Sequence, residues 1–92
     1  MEVTEVKVFP VSKEEDRLKA FASITFDDCF IVRDLKVISG NEGLFVAMPS
    51  KKRKDGQYKD IAHPLNSTMR DMIENAVLRE YDAEAERTVS AG

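Results

Sequence analysis

A single cysteine, Cys29, leaves the chain without the means to form an internal disulfide. No run of apolar residues approaches the ~18 to 20 that a bilayer span needs. There is no internal repeat and no low-complexity segment, and the one linker-like stretch is a loop over 49–56. The opening Met1-Glu2-Val3-Thr4-Glu5 is acidic and alternating, where a secretory leader would be basic and then apolar; the expected location is the cytosol. His63 is the sole histidine, and no second ligand stands at a spacing that would build a metal site or a nucleophile–base pair around it. Gly40 and Gly43 stand in a turn and form no phosphate-binding loop. The acidic groups Glu14-Glu15-Asp16 and Asp27-Asp28 match no calcium loop and fall at turns, where solvated carboxylates belong. These absences argue against an enzyme, a metal, a cofactor and a small-molecule substrate.

What is present is a chain of 92 residues and 10.4 kDa, one domain over residues 1–92, with 42% hydrophobic and 34% charged residues. It reads as soluble and globular. So small a domain is marginal alone, which favours an oligomer. The net charge of −3 disfavours a general nucleic-acid binder until it is resolved by position. Residues 1–46 carry six basic and nine acidic side chains, residues 47–79 seven and four, and residues 80–92 one and four. The middle is a basic island centred on Lys51-Lys52-Arg53-Lys54 and followed by Lys59. With a Debye length near ~8 Å, local density of this kind sets a binding field more than the whole-chain sum does.

The apolar pattern predicts an α+β fold: a small antiparallel sheet of about five strands followed by a C-terminal amphipathic helix. Over 17–26, Leu18, Ala20, Ala22, Ile24 and Phe26 alternate with Arg17, Lys19, Ser23 and Thr25, the period of a half-buried strand. Residues 29–38 form a second run, and Asp27-Asp28 between the two suits a tight hairpin. Thr4, Val6 and Val8 alternate until Pro10, which cannot donate to a ladder. Ser39 to Gly43 reads as a turn, Leu44 to Met48 as a strand stopped by Pro49, Asp55-Gly56 as a turn, and Gln57 to Ala62 as a last short strand. After His63-Pro64 the period becomes helical. Met69, Met72, Ile73, Ala76, Val77 and Tyr81 share one face, with Arg70, Asp71, Glu74, Asn75, Arg79 and Glu80 opposite. Asn66, Ser67 or Thr68 can cap the start, and Thr68-x-x-Asp71 resembles a capping box. Asn66-Ser67-Thr68 also fits a glycosylation sequon, but without export capping explains it better. Past Tyr81 the apolar residues thin out, and 81–92 is expected to fray.

Lys51, Lys52, Arg53 and Lys54, flanked by Pro49 and Asp55-Gly56, project several cations from the sheet, and Arg70 in the first helical turn could extend them. Phosphate contact is one reading of the cluster. The other is a charged loop that merely keeps the surface solvated. Cys29, beside Phe30, reads as a small core residue, and His63 as a structural residue held extended by Pro64.

The string Gly43-Leu44-Phe45-Val46-Ala47-Met48-Pro49-Ser50-Lys51, with Asp60-Ile61-Ala62-His63-Pro64-Leu65-Asn66, resembles the SpoVG family of bacterial sporulation and septation proteins. The resemblance extends over Met1-Glu2-Val3-Thr4, Ala22-Ser23-Ile24-Thr25 and Val77-Leu78-x-Glu80-Tyr81. It implies a cytosolic homodimer that acts as a non-enzymatic regulator and binds DNA, in some members RNA. Carried over by residue, Lys51 matches the family's basic position after Pro-Ser, Lys52 and Arg53 its variable basic positions, and Arg70 a basic position early in the helix. This loop is denser in charge than the family pattern requires. The competing expectation is a protein–protein adaptor of the division machinery.

Overall fold

The computed structural model describes residues 1–11 and 17–91, with side chains through residue 86; the acidic run Glu14-Glu15-Asp16 lies outside the described residues. Four strands, β1 (Val3–Pro10), β2 (Leu18–Phe26), β3 (Phe30–Gly40) and β4 (Gly43–Ala47), pair antiparallel in chain order. Two three-residue strands, β5 (Ser50–Lys52) and β6 (Tyr58–Asp60), form a separate ribbon, and α1 (Ser67–Ala91) closes the chain. The α+β class is as expected. The single five-stranded sheet is not: Pro49 interrupts the ladder after β4, and the chain starts a new two-stranded pairing beyond it.

One face of the four-stranded sheet carries the core. Val8 of β1, Ala20, Ala22, Ile24 and Phe26 of β2, Leu35 and Val37 of β3 and Val46 of β4 are buried there with Met48, Ile73 and Val77. The even-numbered face of β2 is therefore the one that period two selects. α1 packs on this face, nearest β1 and also against β4 and β2, with Ile73 and Val77 in the core. Met69, Ala76, Leu78 and Tyr81 line the margins of that contact.

Local hydrogen bonds correct three sequence expectations. The helix cap is Asn66, whose Oδ1 accepts the Met69 N–H at 2.8 Å; the Thr68–Asp71 capping box does not form, because the helix has already begun at Ser67. Gln57 to Ala62 contracts to Tyr58–Asp60, since Ile61 and Ala62 leave the ribbon for the connection to α1. Cys29 is exposed and lies outside the core, in a three-residue turn where Asp27 and Asp28 take φ of 51° and 54° and Cys29 N–H donates to the Phe26 carbonyl at 3.0 Å. The left-handed turn shifts Cys29 out of the ladder, so that Phe26 pairs with Phe30. The β1 start clasps this turn: Glu2 N–H donates to Asp27 Oδ1 at 3.0 Å and Asp28 N–H to Thr4 Oγ1 at 2.9 Å. Beyond Tyr81 the backbone stays helical to Ala91, consistent with the helix propensity of Ala83, Glu84, Ala85 and Glu86.

Leu35 has no exposed surface. Truncating it to alanine is expected to cost about 2 to 5 kcal/mol, against about 1 kcal/mol for Asn66→Ala at the cap. Urea midpoints of the two variants check this, and a Leu35→Ala loss no larger than that of Asn66→Ala would contradict the core placement.

Candidate nucleic-acid interface

The sequence through the basic island alternates no apolar residues, yet it folds into a defined hairpin. Ser50 pairs with Asp60, Lys51 with Lys59 and Lys52 with Tyr58. At the tip, Arg53 N–H donates to the Gln57 carbonyl at 2.7 Å and Gly56 N–H to the Arg53 carbonyl at 3.0 Å. Gly56 sits at φ 87°, which makes this a three-residue loop closed by a glycine in the left-handed region. The Asp55 carboxylate accepts the Gln57 N–H at 3.0 Å and locks the turn from the side. At the base, Ile61 N–H donates to the Pro49 carbonyl at 2.8 Å, while Met48 and Pro49 are buried. The ribbon thus stands on a fixed root.

Every residue from Ser50 to Ile61 is exposed. Alternation places Lys51 and Lys59 on one face of the ribbon, continued by Arg53 and Gln57 toward the tip, and Lys52 and Tyr58 on the other. Two ammonium groups directly opposite each other repel, and no carboxylate of the described residues lies within ion-pair range of any of the five ribbon cations. The Glu5–Lys7 pair at 3.8 Å belongs to β1 and does not touch them. The cations are free to meet an external polyanion.

Of the residues singled out from sequence, Lys51 and Lys52 lie on β5 and Arg53 and Lys54 at the tip, so four of the five come together on one ribbon. Arg70 is exposed but stands on α1, which makes no extensive contact with the ribbon. Sequence reasoning counted Lys59 in the basic island without placing it among the site residues, and left out Tyr58. The signal for Lys59 was its pairing distance from Lys51 across the Asp55-Gly56 turn; Tyr58, 69% exposed, gave none beyond being an aromatic in a polar stretch. His63 is exposed in the connection to α1, with Nδ1 3.0 Å from the Pro64 carbonyl. No group of three or more His, Cys, Asp or Glu side chains among the described residues is arranged to hold a metal ion. No described helix is long and apolar enough to cross a membrane.

The sequence profile of SpoVG matches residues 1–83, which takes in the whole sheet, the basic ribbon and most of the helix. The chain belongs to the SpoVG family. It is 69% identical over 84 residues to a Bdellovibrio bacteriovorus protein, an alignment covering 91% of this chain and 76% of that one. An Anaeromyxobacter protein (strain Fw109-5) is 64% identical over 84 residues, covering 91% and 84%. A Caldicellulosiruptor saccharolyticus protein is 50% identical over 92 residues, covering 100% and 99%. All three bear the name "Putative septation protein SpoVG". The SpoVG profile ends at residue 83, within α1.

A Cβ at Gly56 would meet nothing within 4 Å, so Gly56→Ala would disturb the tip through backbone conformation alone. The cost of about 1 to 2 kcal/mol should fall on the ribbon and spare the core. Hydrogen exchange should then show the Arg53 and Gly56 amides losing protection while those of β2 and β3 keep theirs. Uniform loss across the chain would mean the ribbon is not a separate unit.

Proposed function

We propose that this SpoVG protein is a non-enzymatic bacterial regulator that binds nucleic acid, DNA or RNA, through its basic ribbon, and that it acts in sporulation, septum formation and gene expression. The observation that supports this is the set of five exposed cations, Lys51, Lys52, Arg53, Lys54 and Lys59, free of ion pairs with described carboxylates and carried on a hairpin rooted in the core. A charged loop that merely kept the surface solvated would need no such root, nor two lysines set opposite each other. Phosphates satisfy what the fold leaves unsatisfied. Arg70 enters as a further contact from α1. The septation names of the relatives support the cellular setting, and the working location is the cytosol.

The active species in this reading is a homodimer. Phe9, Phe21, Ile31 and Phe45 are exposed on the sheet face opposite the helix, a large apolar surface for a domain of 10.4 kDa. A dimer presents two ribbons and doubles the charge that meets the ligand.

A second reading, a protein–protein adaptor of the division machinery, draws on a groove of about 610 Å³ between the sheet and the start of α1, where Met1, Phe30, Ile61 and Leu65 are exposed. Capture of a division protein that survives both nuclease treatment and neutralisation of the ribbon would favour it.

If Lys51, Lys52, Arg53 and Lys54 each neutralise one phosphate of a duplex, the log–log salt slope is about −3.6 per protomer and about −7 for the dimer. Affinity should fall by about two to four decades between about 50 and 200 mM salt. Replacing the four by alanine should flatten the slope without lowering the thermal midpoint, because none of them is buried. An unchanged slope would remove the ribbon from the interface. Sedimentation equilibrium should give about twice the 10.4 kDa chain mass, and a monomer at tens of micromolar would remove the dimer.

A further inference from the structure

The two faces of the ribbon differ in chemistry, and the difference bears on which nucleic acid the ribbon fits. Among the paired residues, Lys51, Arg53, Lys59 and Gln57 share one face, and none of the four is a carboxylate. The other face carries Ser50, Lys52, Tyr58 and Asp60. A continuous second row of phosphates would be repelled by Asp60 there, which leaves Lys52 as the one phosphate contact of that face. Its dominant group is the Tyr58 side chain, 69% exposed and directly across from Lys52. The phenol has no hydrogen-bond partner among the described residues.

We infer that Tyr58 is a base-stacking platform and that the ribbon is built for single-stranded nucleic acid, with phosphates along the Lys51–Arg53–Lys59 face and an unstacked base on the Tyr58–Lys52 face. This rests on the nucleic-acid reading above and narrows it. A single strand has its phosphates on one side and its bases on the other, and a two-faced ribbon between them meets both. In a duplex the base faces are already stacked on each other, and an aromatic ring gains nothing from them without prior opening. Lys52 reaches alongside the stacked base toward its own phosphate. Ser50 and Asp60, farther down the same face, offer acceptors to base amino groups.

The test compares four ligands of matched length at one low salt concentration: single-stranded RNA, single-stranded DNA, duplex DNA, and inorganic polyphosphate, which carries charge and no bases. The proteins are the natural chain, Tyr58→Phe, which keeps the ring, and Tyr58→Leu, which keeps the bulk without the π face. Tyr58→Leu should weaken both single strands by roughly 5- to 150-fold, the worth of one stacked base, and Tyr58→Phe should bind as the natural chain does. Affinity for polyphosphate should be the same for all three. The chain has no tryptophan and two tyrosines, so its ultraviolet emission reports Tyr58 and Tyr81; a single strand should quench it through Tyr58 and polyphosphate should not. Equal binding of single strands by Tyr58→Leu and the natural chain would overturn the stacking role while leaving the phosphate interface standing. So would a loss of equal size on polyphosphate, which would make Tyr58 a structural support for the lysines. Failure of the natural chain to bind any of the four ligands would overturn both this inference and the function it rests on.

Discussion

The contact between α1 and the inner face of the sheet is the constraint on which the rest of this protein depends. Ile73 and Val77 join Val8, Ala20, Ala22, Leu35, Val37 and Val46 in one buried cluster, with α1 lying nearest β1. A four-stranded sheet of this size does not hold a stable apolar face open to water, and a lone helix with few apolar residues does not persist without a partner. Each supplies what the other lacks.

That contact also sets the position of the ribbon. The chain leaves the sheet through Met48 and Pro49, both buried, and returns through Ile61 on its way to the helix cap at Asn66. The two ends of the ribbon are thereby tied to the two layers of the core. A cluster of like charges would disperse on a mobile loop, whereas here Lys51 and Lys59 are held in register. The electrostatic cost of that register is borne by the folding energy of the core.

Most of the frame was legible in the sequence, for a definite reason. Period two in Leu18–Phe26 and the helical spacing from Met69 to Tyr81 both reflect one buried face and one wet face, and both identify the correct face. Where burial is absent, the pattern is silent. β5 and β6 have three residues each, none buried, and what makes them strands is the turn geometry of Asp55-Gly56 and the bond from Ile61 to Pro49. Composition therefore located the cations without showing that Lys59 faces Lys51 or that Tyr58 takes the opposite side. Cys29 was misplaced for a related reason. Its apolar neighbours suggested a core strand, but two consecutive aspartates with positive φ lengthen the turn and rotate it outward. The cap was narrowed to Asn66, Ser67 and Thr68, and hydrogen-bond geometry was needed to choose among them.

From Ser50 to Ile61 no side chain is buried, while the residues that hold the fold together all lie outside that span. Stability and the proposed binding surface therefore reside in non-overlapping sets of positions. Substitutions in the ribbon can accumulate without eroding the folding margin, and changes in the core can be compensated without altering the ribbon. The architecture is in that sense evolvable: one scaffold can carry a succession of tips.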